Sequence, residues 1–221
     1  VDELHTYEIG KKTDKLTGFI TPYWPQLSDT DRDIYVNVFD FNVDISTALN
    51  SDVGELKALI MSRGDHWADY SDIEGKGEQE YLDTTNLSVI IDMQAKLDQM
   101  VHNMITAIND QLCPNVTGPV GVTYQDANGN TLNLSDAKVL DTENCARGSD
   151  GELPPRELFV RAGIERYTEV TGSDGKTYYV YNEEDTSDTS YMYSLTSCGV
   201  NEELKKIEEY KKLLLAARPK E

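Results

Sequence analysis

The stretch LSVIIDMQAKLDQMVHNMITAINDQL, residues 87–112, decides the fold. Its apolar residues recur at steps of three and four, which predicts one continuous helix with a buried face. At 1.5 Å per residue such a helix is roughly 40 Å long. We expect Thr84, Thr85 and Asn86 to cap its first turn. Pro114 should end it, because the residue before a proline is driven out of the α region.

The apolar surface of this helix is the candidate packing and interface site. Its residues are Leu87, Ile90, Ile91, Leu97, Met100, Val101, Met104, Ile105 and Ile108. We expect Ile90, Leu97 and Met104 to form one line, with a second line beside it consisting of Ile91, Met100 and Ile105. One short helix cannot cover both lines, so part of this surface should be uncovered and should pack against helices absent from this chain. The nearly heptad spacing favours a bundle or coiled-coil partner. The opposite, polar face should consist of Asp92, Lys96, Asp98, Asn103, Asn109 and Asp110.

Composition excludes several classes of function. The 221 residues carry a formal net charge of −20, which opposes binding to nucleic acid and to anionic membrane surfaces. The sequence contains no run of 18 apolar residues, so it predicts no membrane-spanning helix. Three widely spaced cysteines form neither a zinc pattern nor a disulfide framework, and we expect no cofactor or metal. The chain opens on Val1 with no recognisable signal peptide, which suggests a piece of a longer protein.

On the N-terminal side, SDVGELKALIMSRG (residues 51–64) predicts a short helix that ends at Gly64. Asp52 and Glu55 have capping-box spacing, and the buried face should be Leu56, Leu59 and Ile60. Alternating apolar residues predict a strand over residues 34–45, with a bulge near Val38 and Phe39. Residues 66–83 are polar and are interpreted as a loop or short excursion leading into the long helix.

On the C-terminal side, glycine, proline and β-forming residues predict a separate β-rich region. Hairpins are expected around Asn128–Gly129 and around GSDG, residues 172–175. Further strands are predicted at 138–140, 158–161 and 191–195. The predicted fold class is therefore α+β, with a long helix, a short helix and a strand segment, then a β-rich lobe and a C-terminal helix. The expected domains are a helical rod region at 1–114, a β-rich outer domain at 119–200 and a helix at 201–221.

Chemical motifs give little support to catalysis, and we expect no enzyme. The histidines lack zinc-binding spacing, and no phosphate-binding or nucleophile-elbow motif occurs. A hydrolase would need Cys145 to meet a histidine in space. An alternative function is an acidic extracellular binding or adhesion module, which would use the Arg63–Gly64–Asp65 triplet or the acidic loop NEEDTSDTS, residues 182–190. The aspartates of SDTDRD do not predict an EF-hand, because Ile34 and Asp40 occupy the required Gly and Glu positions.

Several segments resemble the flagellar hook-associated protein 1 family. The short helix matches that family's helix start at Gly54, Leu56, Leu59, Ile60 and Arg63. The stretch LDQMV (residues 97–101) and the pair Ile108–Asn109 resemble the closing part of its long helix. ELFVR (residues 157–161), ERYTEV and YYVYNEEDTSD are similar to the β-rich outer domain of clostridial-type members. The resemblance covers about residues 34–204.

The resemblance implies a structural role in the bacterial flagellum. Members of this family are exported unfolded by the flagellar secretion apparatus and polymerise between hook and filament. The implied location is therefore extracellular. The implied partners are the hook protein, the second junction protein and a flagellar export chaperone. Inner helices would hold the ring, and the acidic, tyrosine-rich second half would face solvent.

Overall fold

The computed structural model describes residues 8–11, 20–32, 34–39, 54–146 and 157–202. These residues form helices and antiparallel sheets, which confirms the α+β class and the long helix beside a β-rich region. The chain divides into two compact units, Val1–Gln99 and Met100–Glu221. The division falls inside the long helix α3 (Val89–Leu112). The domain limits drawn from the sequence remain a prediction.

The first unit begins with an antiparallel strand pair, β1 (Glu8–Lys11) and β2 (Ile20–Tyr23). Tyr23 is buried and meets Tyr35 edge to face, with ring centroids 5.0 Å apart. In the predicted strand 34–45, residues 34–39 form only isolated bridges, in which Ile34 pairs with Asp29 and Asn37 pairs with Tyr23. Residues 40–45 lie outside the described part of the chain.

The predicted short helix is present as α1 (Glu55–Arg63) and ends at Gly64, which has φ 79°. Its cap and its buried face differ from the prediction. Gly54 is the N-cap residue and makes no side-chain cap, while Asp52 lies outside the described residues. Leu56 and Leu59 are exposed and Ile60 is half-buried, whereas Lys57 is buried. Apolar spacing therefore predicted the wrong buried face of α1, because the face that contains Lys57 is the buried one.

The segment interpreted as a loop, residues 66–83, contains regular structure. Tyr70–Asp72 forms a 3₁₀ turn, and α2 (Glu78–Asp83) follows it. Asp69 and Asp72 form a capping box around the 3₁₀ turn, in which each carboxylate accepts a backbone N–H from the other end. The segment is therefore more regular than a loop, because these polar side chains satisfy the backbone locally.

Helix α3 begins two residues later than predicted and is capped by Ser88. The Ser88 hydroxyl accepts the Ile91 N–H at 3.3 Å and donates to the Ser62 carbonyl at 2.9 Å. The predicted capping residues Thr84 and Thr85 bind other backbone groups instead. The Thr84 hydroxyl donates to the Glu80 carbonyl at 2.7 Å, and the Thr85 hydroxyl donates to the Asp72 carbonyl at 2.6 Å. The helix ends at Leu112, two residues before Pro114, as expected.

The second unit contains a four-stranded antiparallel sheet with the order β3-β6-β9-β8. Its strands are β3 (Asn115–Thr117), β6 (Lys138–Leu140), β8 (Tyr167–Thr171) and β9 (Thr177–Tyr181). One apolar cluster contains Cys113, Leu140 and Cys145, and the other contains Leu134, Val139 and Val180. The core of the second unit therefore lies around this sheet.

Two smaller strand pairs complete the second unit. The first is the predicted hairpin of β4 (Thr123–Gln125) and β5 (Thr131–Asn133), with Gly129 at φ 83°. The second joins β7 (Phe159–Val160) to β10 (Gly199–Val200). The Asp126 carboxylate accepts the backbone N–H groups of Asn128 and Asn130, which fixes the hairpin turn.

The predicted strand at 191–195 is not formed. Thr189–Tyr191 is a 3₁₀ turn capped by Asp188, and residues 192–198 are irregular. Met192, Tyr193 and Ser194 are all fully buried, which an alternating strand on a sheet surface would not allow. Of the predicted helix 201–221, only residues 201 and 202 are described.

Candidate functional site

One face of α3 is buried and partly polar. Its buried residues are Ile91, Ala95, Asp98, Ile105 and Asn109. Asp98 and Asn109 were expected on the solvent face, so that prediction was wrong. The reason is hydrogen bonding, because both side chains hold backbone groups that are distant in sequence.

The two polar residues of this face act as anchors. Asp98 Oδ2 accepts the Tyr70 N–H at 2.9 Å. Asn109 makes a reciprocal pair with Phe159, in which Nδ2 donates to the carbonyl at 2.9 Å and Oδ1 accepts the N–H at 3.1 Å. Each anchor satisfies backbone groups that are distant in sequence, so Asp98 fixes the 3₁₀ turn at Tyr70 and Asn109 fixes β7 against the helix.

The opposite face of α3 is apolar and exposed. It carries a row that we call the apolar stripe: Ile90, Met93, Leu97, Met100 and Met104. Their side chains are 44–65% exposed. The intervals of three, four, three and four residues are those of a and d positions in a heptad. On a helix with 1.5 Å rise, the stripe extends for about 21 Å.

The predicted interface residues are distributed over both faces. Ile91 and Ile105 are buried, Val101 and Ile108 are half-buried, and Leu87, Ile90, Leu97, Met100 and Met104 are exposed. Met100 was grouped with Ile91 and Ile105, but at 100° per residue it lies on the opposite side, with Leu97 and Met104. Met93 was overlooked, although its position three residues after Ile90 and four before Leu97 is a sufficient signal.

Charges border the apolar stripe on one side. Lys96 Nζ lies 2.8 Å from Asp92 Oδ2, and the Tyr81 hydroxyl donates to Asp92 Oδ1 at 2.5 Å. Burial raises the pKa of Asp92, but the hydrogen bonds from Lys96 and Tyr81 outweigh it, and the net pKa is lowered. This border is therefore charged and solvated, while the stripe itself consists of uncharged side chains.

An arginine–tyrosine cluster occupies the interior of the second unit: Glu157, Arg161, Arg166, Tyr167, Tyr181 and Tyr193. Arg166 is 1% exposed and its Nη2 pairs with Asp110. Arg161 donates to four backbone carbonyls, at Glu165, Asn182, Glu183 and Tyr191. These contacts join the segments around residues 165, 182–183 and 191.

Burial changes the acid–base properties of this cluster. Burial raises the pKa of the Glu157 carboxyl, and the charges of Arg166 and Arg161 only partly offset it. Burial likewise raises the pKa of the Tyr193 hydroxyl, which donates to Glu157 Oε1 at 3.3 Å.

The Arg63–Gly64–Asp65 triplet forms the C-terminal cap of α1. Gly64 packs so closely that an added Cβ would overlap the Ile91 side chain. Arg63 Nε donates to the Gly64 carbonyl at 3.1 Å, and Asp65 Oδ1 contacts His66 Nδ1 at 2.7 Å. Gly64 is therefore packed against the body of its unit, whereas the Asp65 side chain is 61% exposed.

The acidic loop at 182–190 uses its carboxylates within the fold. Glu184 accepts the Tyr193 N–H at 2.8 Å, Glu183 pairs with Lys138 at 2.9 Å, and Asp188 accepts the Ser190 N–H at 2.9 Å. Within residues 8–11, 20–32, 34–39, 54–146 and 157–202, no three His, Cys, Asp or Glu side chains are placed to hold a metal ion.

Cys145 has the surroundings of a core thiol. It is buried in the cluster with Cys113 and Leu140, and its Sγ lies 3.8 Å from the Thr142 carbonyl. Burial also raises the pKa of the neighbouring Cys113 thiol to about 12. A reactive cysteine needs a stabilised thiolate, which the raised pKa of Cys113 does not provide.

Comparison with protein-family models, curated proteins and solved structures finds no match to this chain. Among the described helices, none is long and apolar enough to cross a membrane.

Proposed function

We propose that this chain is a structural subunit that assembles through the apolar stripe of α3. The resemblance described above assigns this role to the hook–filament junction of the bacterial flagellum. The supporting observation is the stripe itself, five large apolar residues at heptad spacing with 44–65% exposure. Contiguous exposed apolar surface of this kind commonly marks an interaction site.

The energetics favour a helical partner for the stripe. Fully burying one Leu, Ile or Met side chain contributes about 1.5–3 kcal/mol. Five such residues at a and d positions present a seam that a partner helix with the same spacing would cover. Under the flagellar proposal, the partner helices belong to the hook protein, the second junction protein or another axial subunit.

Charge limits association of the isolated chain with itself. At a net charge of −20, two copies repel each other over distances of about 10 Å at moderate salt. We therefore propose that the chain alone is monomeric or weakly self-associating and assembles in the presence of its partners. Export by the flagellar apparatus, with an export chaperone, and an extracellular location are part of the same proposal.

Sedimentation velocity with purified hook protein and second junction protein tests this function. The sharpest variant is Met104→Asp, and Asn103→Asp is its matched control. Both add one negative charge at adjacent exposed positions of α3, but only the first lies on the stripe. We expect the wild-type chain and the Asn103→Asp variant to form a complex, and Met104→Asp to weaken it by about tenfold or more. Absence of a wild-type complex with either protein, or equal binding by both variants, would overturn the proposal.

A further inference from the structure

A groove of about 810 Å³ lies between strands β4 and β8 in the second unit. The two strands are joined at one end, where Ser173 N–H donates to the Thr123 carbonyl at 2.8 Å and Thr123 N–H donates to Ser173 Oγ at 3.1 Å. Away from this junction the groove continues past the turn at Asp126. One wall is therefore the edge of a sheet, since β8 is its terminal strand.

The edge of β8 presents free backbone groups. Asn182 N–H donates to the Arg166 carbonyl and Gly172 N–H to the Lys176 carbonyl, both at 2.8 Å. In an antiparallel ladder the residues bonded to the partner strand alternate with residues whose N–H and C=O point away. Glu169 and Thr171 therefore direct their backbone groups away from β9, and no described residue pairs with them there.

The side chains of the groove define what it can accept. Its floor is formed by small or branched residues, including Thr168, Val170 and Val180. Two acidic residues, Asp126 and Glu169, line it, and no described lining residue is basic. Hydrogen bonds from Asn130 to Asp126 lower the pKa of that carboxyl, so it is charged at neutral pH.

We propose that the free edge of β8 is a docking site for an extended, basic peptide segment of a partner protein. The segment adds a fifth strand to the sheet, with backbone hydrogen bonds to Glu169 and Thr171. This site is independent of the apolar stripe on α3. Charge selects the partner, because a second copy of this chain, at −20, would be repelled from an acidic groove.

The pleat of β8 sets the sequence pattern of the segment. The residue opposite Glu169 lies on the same face as that carboxylate, where a lysine or arginine makes a favourable cross-strand pair. Its neighbours in the segment turn towards Val170 and the groove floor, which accommodates valine or threonine. The preferred segment therefore alternates basic and β-branched residues.

Fluorescence anisotropy with the full chain and a labelled seven-residue peptide of alternating lysine and valine tests this site. We expect saturable binding, weakened about tenfold or more by Glu169→Pro, because proline removes the outward N–H that pairs with the peptide. Glu169→Gln keeps that N–H and should weaken binding by less. Glu143→Gln, an exposed position outside the groove, is the matched charge control and should leave binding unchanged.

Two peptide variants separate strand addition from simple charge attraction. N-methylation of alternate residues blocks one edge of the peptide at a time, and only one of the two registers should bind. If both methylated peptides bind as well as the parent, the attraction is purely electrostatic and the proposal fails. Absence of saturable binding to the wild-type chain also overturns it. Hydrogen exchange supplies a measurement independent of variant folding, since the Glu169 and Thr171 amides should become protected when the peptide is added.

Discussion

The two faces of α3 depart from the usual arrangement of an amphipathic helix. The buried face contains Asp98 and Asn109, at 4% and 0% exposure, while the exposed face carries the five large residues of the apolar stripe. A surface helix ordinarily buries its apolar residues and exposes its polar ones. Here hydrogen bonds to distant backbone groups determine which polar residues are buried.

This difference separates folding from association. The buried face is held by specific contacts to segments of its own units, so its residues should control stability. The side chains of the stripe are 44–65% exposed, and the proposed partner would cover them. Substitutions on the two faces should therefore have different consequences, and four predictions test that separation.

The largest effect is expected at Arg166, which pairs with Asp110 of α3. Arg166→Met removes one of the two buried arginines of the cluster, beside a buried Glu157 carboxyl. The Asp110 carboxylate is 61% exposed, so the cost comes from the buried groups that accept hydrogen bonds from Arg166, the Tyr193 hydroxyl and the Cys113 carbonyl. An unsatisfied buried polar group costs about 1–3 kcal/mol, so we expect a loss of about 3–5 kcal/mol. Chemical denaturation should show a loss of this size. Lys176→Met, at an exposed lysine of the same hairpin, should change stability by about 0.5 kcal/mol or less. Equal stability of the two variants would contradict the structural role of Arg166.

The second effect concerns the Asn109 anchor. Asn109→Leu removes both hydrogen bonds to Phe159. The backbone N–H and C=O of Phe159 are then left without these partners. An unsatisfied buried polar group costs about 1–3 kcal/mol, so we expect a loss of about 2–4 kcal/mol in equilibrium unfolding. The matched change Asn103→Leu, at an exposed position on the same helix, should be nearly neutral. A neutral Asn109→Leu would show that the anchor is dispensable.

The two polar anchors of α3, Asp98 and Asn109, show which part of the structure the sequence could not predict. Periodicity was sufficient to predict α3 and its end before Pro114, because a long repeating signal depends only on local geometry. The assignment of its faces failed, because Asp98 and Asn109 bond to Tyr70 and Phe159, 28 and 50 residues away. No local pattern in a single sequence contains such a contact.

In the β-rich region, too, features set by local sequence were predicted and features set by distant contacts were not. The hairpins around Gly129 and GSDG were predicted correctly, since glycine at positive φ marks a turn chemically. The strand at 191–195 failed, because Tyr193 belongs to the arginine–tyrosine cluster and its neighbours are buried with it. The apolar stripe was predicted in part, and Met93 was missed although its spacing fits.

Titration provides the third test, because a pH-sensitive pair stabilises the first unit while the stripe consists of uncharged side chains. Hydrogen bonds to Asp65 and Asp72 raise the pKa of His66 from 6.5 to about 10. The stabilisation that protonated His66 gives the folded state is fully present below pH 6.5 and is lost as the pH rises through about 10. Burial raises the pKa of Asp72, but hydrogen bonds from His66 and the Asp69 amide outweigh it and lower the net pKa. The stabilisation that the ionised Asp72 carboxylate gives the folded state is present above pH 3.8 and is lost as the pH falls below that value.

Differential scanning calorimetry should therefore show a decreasing unfolding temperature between pH 6.5 and 10. The variant His66→Gln cannot titrate in this range, so its unfolding temperature should vary less with pH than that of the wild type. The effect is modest, because the His66 side chain is 35% exposed and solvent screens its partners. Identical pH profiles of variant and wild type would exclude His66 as the source of the decrease.

The smallest effect on stability is expected on the stripe itself. Met100→Gln replaces an exposed residue by one of similar length and nearly equal helix propensity, so stability should change by about 0.5 kcal/mol or less. Ile91→Ala, on the buried face of the same helix, should cost about 2–5 kcal/mol. Denaturant unfolding of both variants measures the contrast directly. Because Met100→Gln preserves the fold, any loss of complex formation in this variant can be assigned to the stripe. A loss of more than about 1 kcal/mol in Met100→Gln would instead show that this face already packs within the chain, and the apolar stripe would no longer be a free surface.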